Sequence, residues 1–175
     1  MRISKSKVFL ILFMVSVLVS AGFAQQNVGV VNSKEILDKS IEGKKIMNRL
    51  QQKENEYKTR LAAMDEEIRK LNTKLSTQRL TLTDEAMAQL SSDLDRKKTE
   101  QKRFGEDAQR EMQALMNRLF QRLQLEVVPI IEAVGKEKNL VAIFDLERSG
   151  MIYFNPTINI TDEVIKKYDA SKAGK

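Results

Sequence analysis

Residues 47–82 read MNRLQQKENEYKTRLAAMDEEIRKLNTKLSTQRLTL. With Met47 placed at a, the a and d positions of successive heptads are Met47, Leu50, Glu54, Tyr57, Leu61, Met64, Ile68, Leu71, Leu75, Gln78 and Leu82. Only Glu54 and Gln78 interrupt the apolar series, and a narrow stripe with this spacing is what a helix needs to face a partner helix along a coiled-coil seam. The intervening residues are mostly charged or amide, and Glu54–Lys58, Glu56–Arg60, Asp65–Arg69 and Glu66–Lys70 stand in the stabilising acid-before-base order at i, i+4. At about 1.5 Å per residue the stretch reaches roughly 50 Å, so it must project from any body this chain can build.

The return helix begins at Thr83, an N-cap followed by Asp84 and Glu85, with Leu82 and Met87 spaced as a hydrophobic staple. Its stripe runs through Met87, Leu90, Leu94, Phe104, Ala108, Met112, Leu115, Leu119 and Leu123, with Lys97 and Gln101 on the expected seam and Gly105 beside them. A shift in the repeat between Ala108 and Met112 unwinds a supercoil locally. The pattern predicts an antiparallel hairpin, with either a pliable point or merely a marginal stretch around Gly105. The acidic run Asp65-Glu66-Glu67 reads as a solvated helix face.

The flanks predict a small β-containing body. Val28–Val31 is a strand candidate and Asn32, with Glu35 three residues on, a capping-box start. Gly43 marks the expected interruption where the helix leaves the body. After Leu123 the apolar residues cover more than one helix face, which signals burial in a core. Pro129 should kink the helix or start a new one, and Asn139 is a left-handed stop. Leu140–Phe144 and Met151–Phe154 are expected to form a hairpin, Pro156 ends it, and Thr161 caps a last helix. Three short strands make a thin body, a shortage that an inter-subunit sheet would relieve.

Residues 1–24 stand apart: Arg2, Lys5 and Lys7 precede the apolar run from Val8 to Val19, and Gly22-Phe23-Ala24 supplies small residues for cleavage between Ala24 and Gln25. An uncleaved anchor is the alternative, although the run is short of the about 20 residues a spanning helix needs. Loss of this leader removes three bases and no acids, so the formal +6 falls to +3. That near-balance, with export, argues against a nucleic-acid partner. The chain has no Cys, His or Trp. It therefore offers no thiol nucleophile, no imidazole base and no ordinary zinc or copper site. With no phosphate loop or nucleophile motif either, the expectation is a protein that is not an enzyme and holds no cofactor.

The organisation is thus 1–24 leader, 25–45 with 124–170 body, 46–123 hairpin arm with its tip near 76–84, and a disordered tail at 171–175. The fold class is α+β, mainly α: a long antiparallel coiled-coil helical hairpin projecting from a small β-containing body.

The order of the leader, the opening strand Asn27-Val28-Gly29-Val30-Val31-Asn32, two charged helices, Asn139-Leu140-Val141-Ala142-Ile143-Phe144-Asp145 and Asn159-Ile160-Thr161-Asp162-Glu163-Val164-Ile165 resembles the Skp/OmpH family of periplasmic chaperones. Asn139 stands where that family more usually has glycine. The resemblance implies a periplasmic homotrimer whose β body assembles around Val28, Val30, Leu140, Ala142, Phe144, Ile152 and Phe154. It implies ATP-independent holding of unfolded outer-membrane β-barrel proteins between the arms. Client contact is expected at Met64, Leu80, Leu82, Met87, Lys97, Lys98, Lys102, Arg103 and Met112, with anionic lipid or lipopolysaccharide as a further partner. Adaptable methionines and steering bases suit that role. Seam filling and a solvated face explain the same residues more plainly. The alternative function is a structural coiled-coil envelope protein or tether.

Overall fold

The computed structural model describes residues 27–173; the leader, its cleavage point, Gly174 and Lys175 lie outside the described residues. The chain runs β1 (Val28–Val31), α1 (Ser33–Lys39), α2 (Ile41–Thr77), α3 (Asp84–Glu137), β2 (Ala142–Asp145), a four-residue turn of helix α4 (Leu146–Ser149), a 3-10 turn (Pro156–Ile158) and α5 (Thr161–Ala173). Helices α2 and α3 form the antiparallel hairpin, and the fold is α+β, mainly α.

The expected C-terminal hairpin is replaced by a different pairing. β2 pairs in parallel with β1, Val28 opposite Ala142 through Val31 opposite Asp145, so the whole arm is the crossover between two parallel strands. Met151–Phe154 is not a strand. The side chain of Asp145 accepts from the amides of Glu147 (3.3 Å) and Ser33 (3.2 Å), which ends β2 and starts a helical turn where a loop was expected. Gly150, with φ 65°, then turns the chain away, and only Asn159 returns as a single bridge to Val30.

The core lies where the arm meets the body: Val31, Ile36, Ile46, Leu119, Leu123, Val127, Val134, Ile160, Val164 and Tyr168. β1, α1, α2, α3 and α5 all contribute, so whole side chains are enclosed. The seam also starts differently from the heptad reading, since Ile46 is buried and Met47 is exposed. At the root α2 packs against α3 and the body together, and that wider face selects Ile46.

Local details correct several expectations. The break between α1 and α2 falls at Ser40, whose hydroxyl accepts from the Gly43 amide at 3.0 Å. Gly43 is thus in the first turn of α2, and a Cβ there would run into the Leu37 carbonyl oxygen. Glycine is required by close approach, not as an interruption. Asn32 caps α1, but its own amide donates to the Thr161 hydroxyl (2.9 Å), so Glu35 does not complete a capping box and pairs with Lys39. Thr161 lies inside α5, whose first amide is accepted by Asn159.

α3 continues through Pro129 to Glu137 without starting a new helix. Asn139 takes the left-handed conformation (φ 51°), with Leu140 N donating to Gly135 O and Asn139 N to Lys136 O, a Schellman ending. The tail is helical through Ala173 instead of disordered from Ser171: Ser171 donates to the Tyr168 carbonyl and Lys172 pairs with Glu126.

Candidate functional site

The hairpin arm is the candidate site, and its character changes along its length. At the root a polar node ties α5 to α3. Tyr168 donates to Glu126 at 2.6 Å, Lys172 reaches the same oxygen at 2.7 Å, and Arg122 reaches the other at 3.1 Å. Burial pushes the Glu126 carboxyl up, but the three donors outweigh it and hold the pKa at about 2. Burial, then the Glu126 acceptor, drives the Tyr168 phenol upward. Asp169 adds a second tie, accepting from the Ile41 amide at the first turn of α2 (2.9 Å). One short helix therefore grips both helices of the arm where they leave the body.

Farther out, Tyr57 is buried in the seam and donates to Glu111 at 2.5 Å, a contact that raises the phenol's pKa. Its ring meets Phe104 edge-on with centroids 5.9 Å apart, and the Arg60 guanidinium covers the other ring at 4.4 Å. Beside this aromatic layer an open groove of about 600 Å³ is lined by residues that include Arg49, Lys53, Ala114 and Arg118.

The next layer is polar. Lys97 bonds Glu67 across the hairpin at 2.7 Å, and Gln101 bonds Asp65. The Lys97 hydrogen bond and charge lower the Glu67 pKa, and Glu67 in turn raises that of Lys97. Two of the three acids read as a solvated face thus reach across to α3, while Glu66 pairs along its own helix with Arg69 and Lys70. The antiparallel register could have revealed this, because it sets Lys97 and Gln101 opposite that acidic run. Of the four i, i+4 pairs expected on α2, Glu54–Lys58 and Glu66–Lys70 form. Glu56 turns to Lys53 and Arg69 to Glu66.

Beyond the polar layer Ile68, Leu71, Leu75, Leu82 and Met87 are only half-buried, while Leu90 and Leu94 are buried. The turn Gln78–Thr83 joins the helices, with the Thr83 hydroxyl accepting from the Ala86 amide (3.3 Å).

The expected contact residues do not form one patch. Leu80 stands at the tip, 98% exposed, with half-buried Leu82 and Met87 nearby. Met64 and Met112 are half-buried seam residues, Lys97 is committed to Glu67, and Lys98, Lys102 and Arg103 lie exposed on α3. In the body Val30 is fully buried; Val28, Leu140, Ala142 and Phe154 are half-buried; Phe144 and Ile152 are exposed. Among the described residues no three acids converge on a possible metal site, and no helix is long and apolar enough to cross a membrane.

Comparison with known proteins gives two matches and one blank. A family model described as "Outer membrane protein (OmpH-like)" matches residues 27–168. The solved structure of a candidate outer membrane chaperone (OmpH-like) from Caulobacter crescentus superimposes with a TM-score of 0.75 at 23% identity, covering 86% of this chain and 88% of that one. No curated protein gives a significant match.

Proposed function

Because the chain belongs to the OmpH-like outer membrane protein family, we propose that it is an exported, ATP-independent holdase for unfolded outer-membrane β-barrel proteins. The observation that carries this reading is the arm itself: paired helices standing off a small body, with an incompletely covered apolar seam and a tip that exposes Leu80. An unfolded barrel strand alternates apolar and polar side chains and needs shielding until it reaches its membrane. Many weak contacts along several arms give such shielding through avidity, without a tight pocket. The family's outer-membrane setting and the sequence of residues 1–24 support action in the periplasm after cleavage at Ala24.

The working unit in this reading is a homotrimer. Ile152 and Tyr153 are 101% and 83% exposed, and Phe144 is exposed on β2 of a two-stranded sheet. A body with this much uncovered apolar surface is completed by copies of itself. Exposed Lys98, Lys102 and Arg103 supply long-range attraction for acidic client segments and anionic lipid. The test is dilution of a urea-unfolded outer-membrane barrel protein into buffer without nucleotide. Stoichiometric amounts of the chain suppress its light scattering if the reading holds, whereas a structural tether leaves the scattering unchanged.

A further inference from the structure

The arm seam contains one layer that does not fit a simple strut. Toward the root it closes on Tyr57, Phe104 and Ala108; toward the tip it closes on Ile68, Leu71, Leu90 and Leu94. Between these stretches lie the Lys97–Glu67 and Gln101–Asp65 contacts, all at partly or largely exposed side chains. Exposed ion pairs contribute little cohesion, because water and salt compete for both partners. On α2 only the half-buried Leu61 and Met64 bridge this layer, facing the stretch of α3 that carries Lys97 and Gln101. The apolar packing that couples the two halves of the seam is therefore thin.

We infer that this polar layer divides the arm into two cooperative blocks, and that the outer block, Ile68 to Leu94, opens to offer its seam to an extended polypeptide with alternating apolar side chains. The inference rests on the holdase reading and deepens it by naming the contact surface. Opening exposes Leu71, Leu75, Leu90 and Leu94, while a bound segment covers them again with equivalent apolar surface. The exchange is then nearly balanced, as reversible holding requires. A largely exposed turn at its end places the outer block at the low end of local stability. Leu80, 98% exposed at that turn, is the first foothold. Lys97 also lies 3.7 Å from Glu100 on its own helix, so its ammonium keeps an acid partner when the seam opens.

The chain contains no cysteine, which permits a clean test. The Glu67–Lys97 and Asp65–Gln101 contacts bracket a register in which Leu71 faces Leu94 across the seam, so Leu71→Cys with Leu94→Cys is placed to staple the outer seam on oxidation. The oxidised full-length protein should require at least fivefold more chain to suppress aggregation of the barrel protein, and reduction should restore the unsubstituted level. Equal suppression by stapled and reduced forms would overturn the inference and leave the holdase reading intact. Failure of the unsubstituted chain to suppress aggregation defeats both. Hydrogen exchange on the unsubstituted chain gives an independent check. Amides of 68–94 should exchange at least tenfold faster than those of 112–127, and Lys97→Leu should slow them severalfold. Uniform exchange along α3 would also overturn it.

Discussion

Where α2 leaves the body, Ile46 is 5% exposed and sits among Leu119, Leu123 and the residues of α5; farther along the same helix, Leu71 and Leu75 are half-buried against α3 alone. The residue types are similar, but the number of surfaces meeting them is not. Two helices cover a narrow stripe, whereas three elements enclose a side chain completely. The root is therefore fixed by packing and the outer arm only by pairing. A holder of varied polypeptides can use both: a rigid base to set position and a loose surface to conform.

The largest expected effect comes from breaking the root. Val164 is fully buried on α5 with Val134 facing the same core. Val164→Asp places a carboxylate there without a partner and should cost about 4 kcal/mol or more. Thermal unfolding followed by circular dichroism should show the body lost. A matching charge in the outer seam, Leu75→Asp, should leave the body's transition within a few degrees of the unsubstituted chain. If both substitutions unfold the body equally, root and outer arm are one cooperative unit and the contrast between them is false.

Acid probes the same root through Glu126. Its carboxyl is held at about 2 in the folded protein, against about 4.3 when unfolded. A depressed folded pKa contributes stability that is fully present above the unfolded value and is lost as pH falls through the folded one. The contribution, up to about 3 kcal/mol, should fade between about pH 5 and 2. A melting-temperature series across that range tests this, and Glu126→Gln should flatten it. An unaltered acid profile in that variant means that the node does not anchor α5.

A smaller loss is expected at the corner between α1 and α2. Gly43→Ala gains helix propensity but drives its Cβ into the Leu37 backbone, for a net cost of about 1–3 kcal/mol. Denaturant titration measures it, and a neutral result would show that the corner relaxes freely.

The arm was legible in the sequence because a seam is local: the spacing from Leu50 to Leu75 states its own partner. The same rule gave the wrong residue at Met47, where a third element takes over and Ile46 turns inward. Strand pairing is not local. Val28–Val31 and Ala142–Asp145 are joined across the whole arm, and nothing near Phe144 announces a parallel partner so far upstream. The short-range hairpin signal to Met151–Phe154 was misleading, because Asp145 turns its side chain to backbone amides and winds the chain into α4. Single-residue details failed for a related reason: Thr161 and Glu35 fit capping patterns, yet the Asn32 amide finds the Thr161 hydroxyl instead. Of the contact residues, the Leu80 tip needed only a turn prediction, whereas the bond from Lys97 to Glu67 required the register between two helices.

Gly105→Ala should have the smallest effect and bears most directly on the difference between the two regions. Gly105 lies inside α3, and the added Cβ meets nothing within 4 Å. The substitution therefore gains helix propensity with no clash, about 0.5–1 kcal/mol in the folded state's favour. Where that gain appears depends on how the arm is coupled to the root. If the chain opens as one unit, the gain raises the global melting temperature and slows exchange everywhere equally. If the outer arm opens on its own, Gly105 stays helical through that opening, so amides from about Ile68 to Leu94 keep their exchange rates while those around Val127 and Val134 gain roughly two- to fivefold protection. The second outcome is expected, because Gly105 lies on the root side of the polar layer, between Phe104 and Ala108, and the root has ties of its own: Tyr168 and Lys172 on Glu126, Asp169 on the Ile41 amide, and Val134 and Val164 in one core.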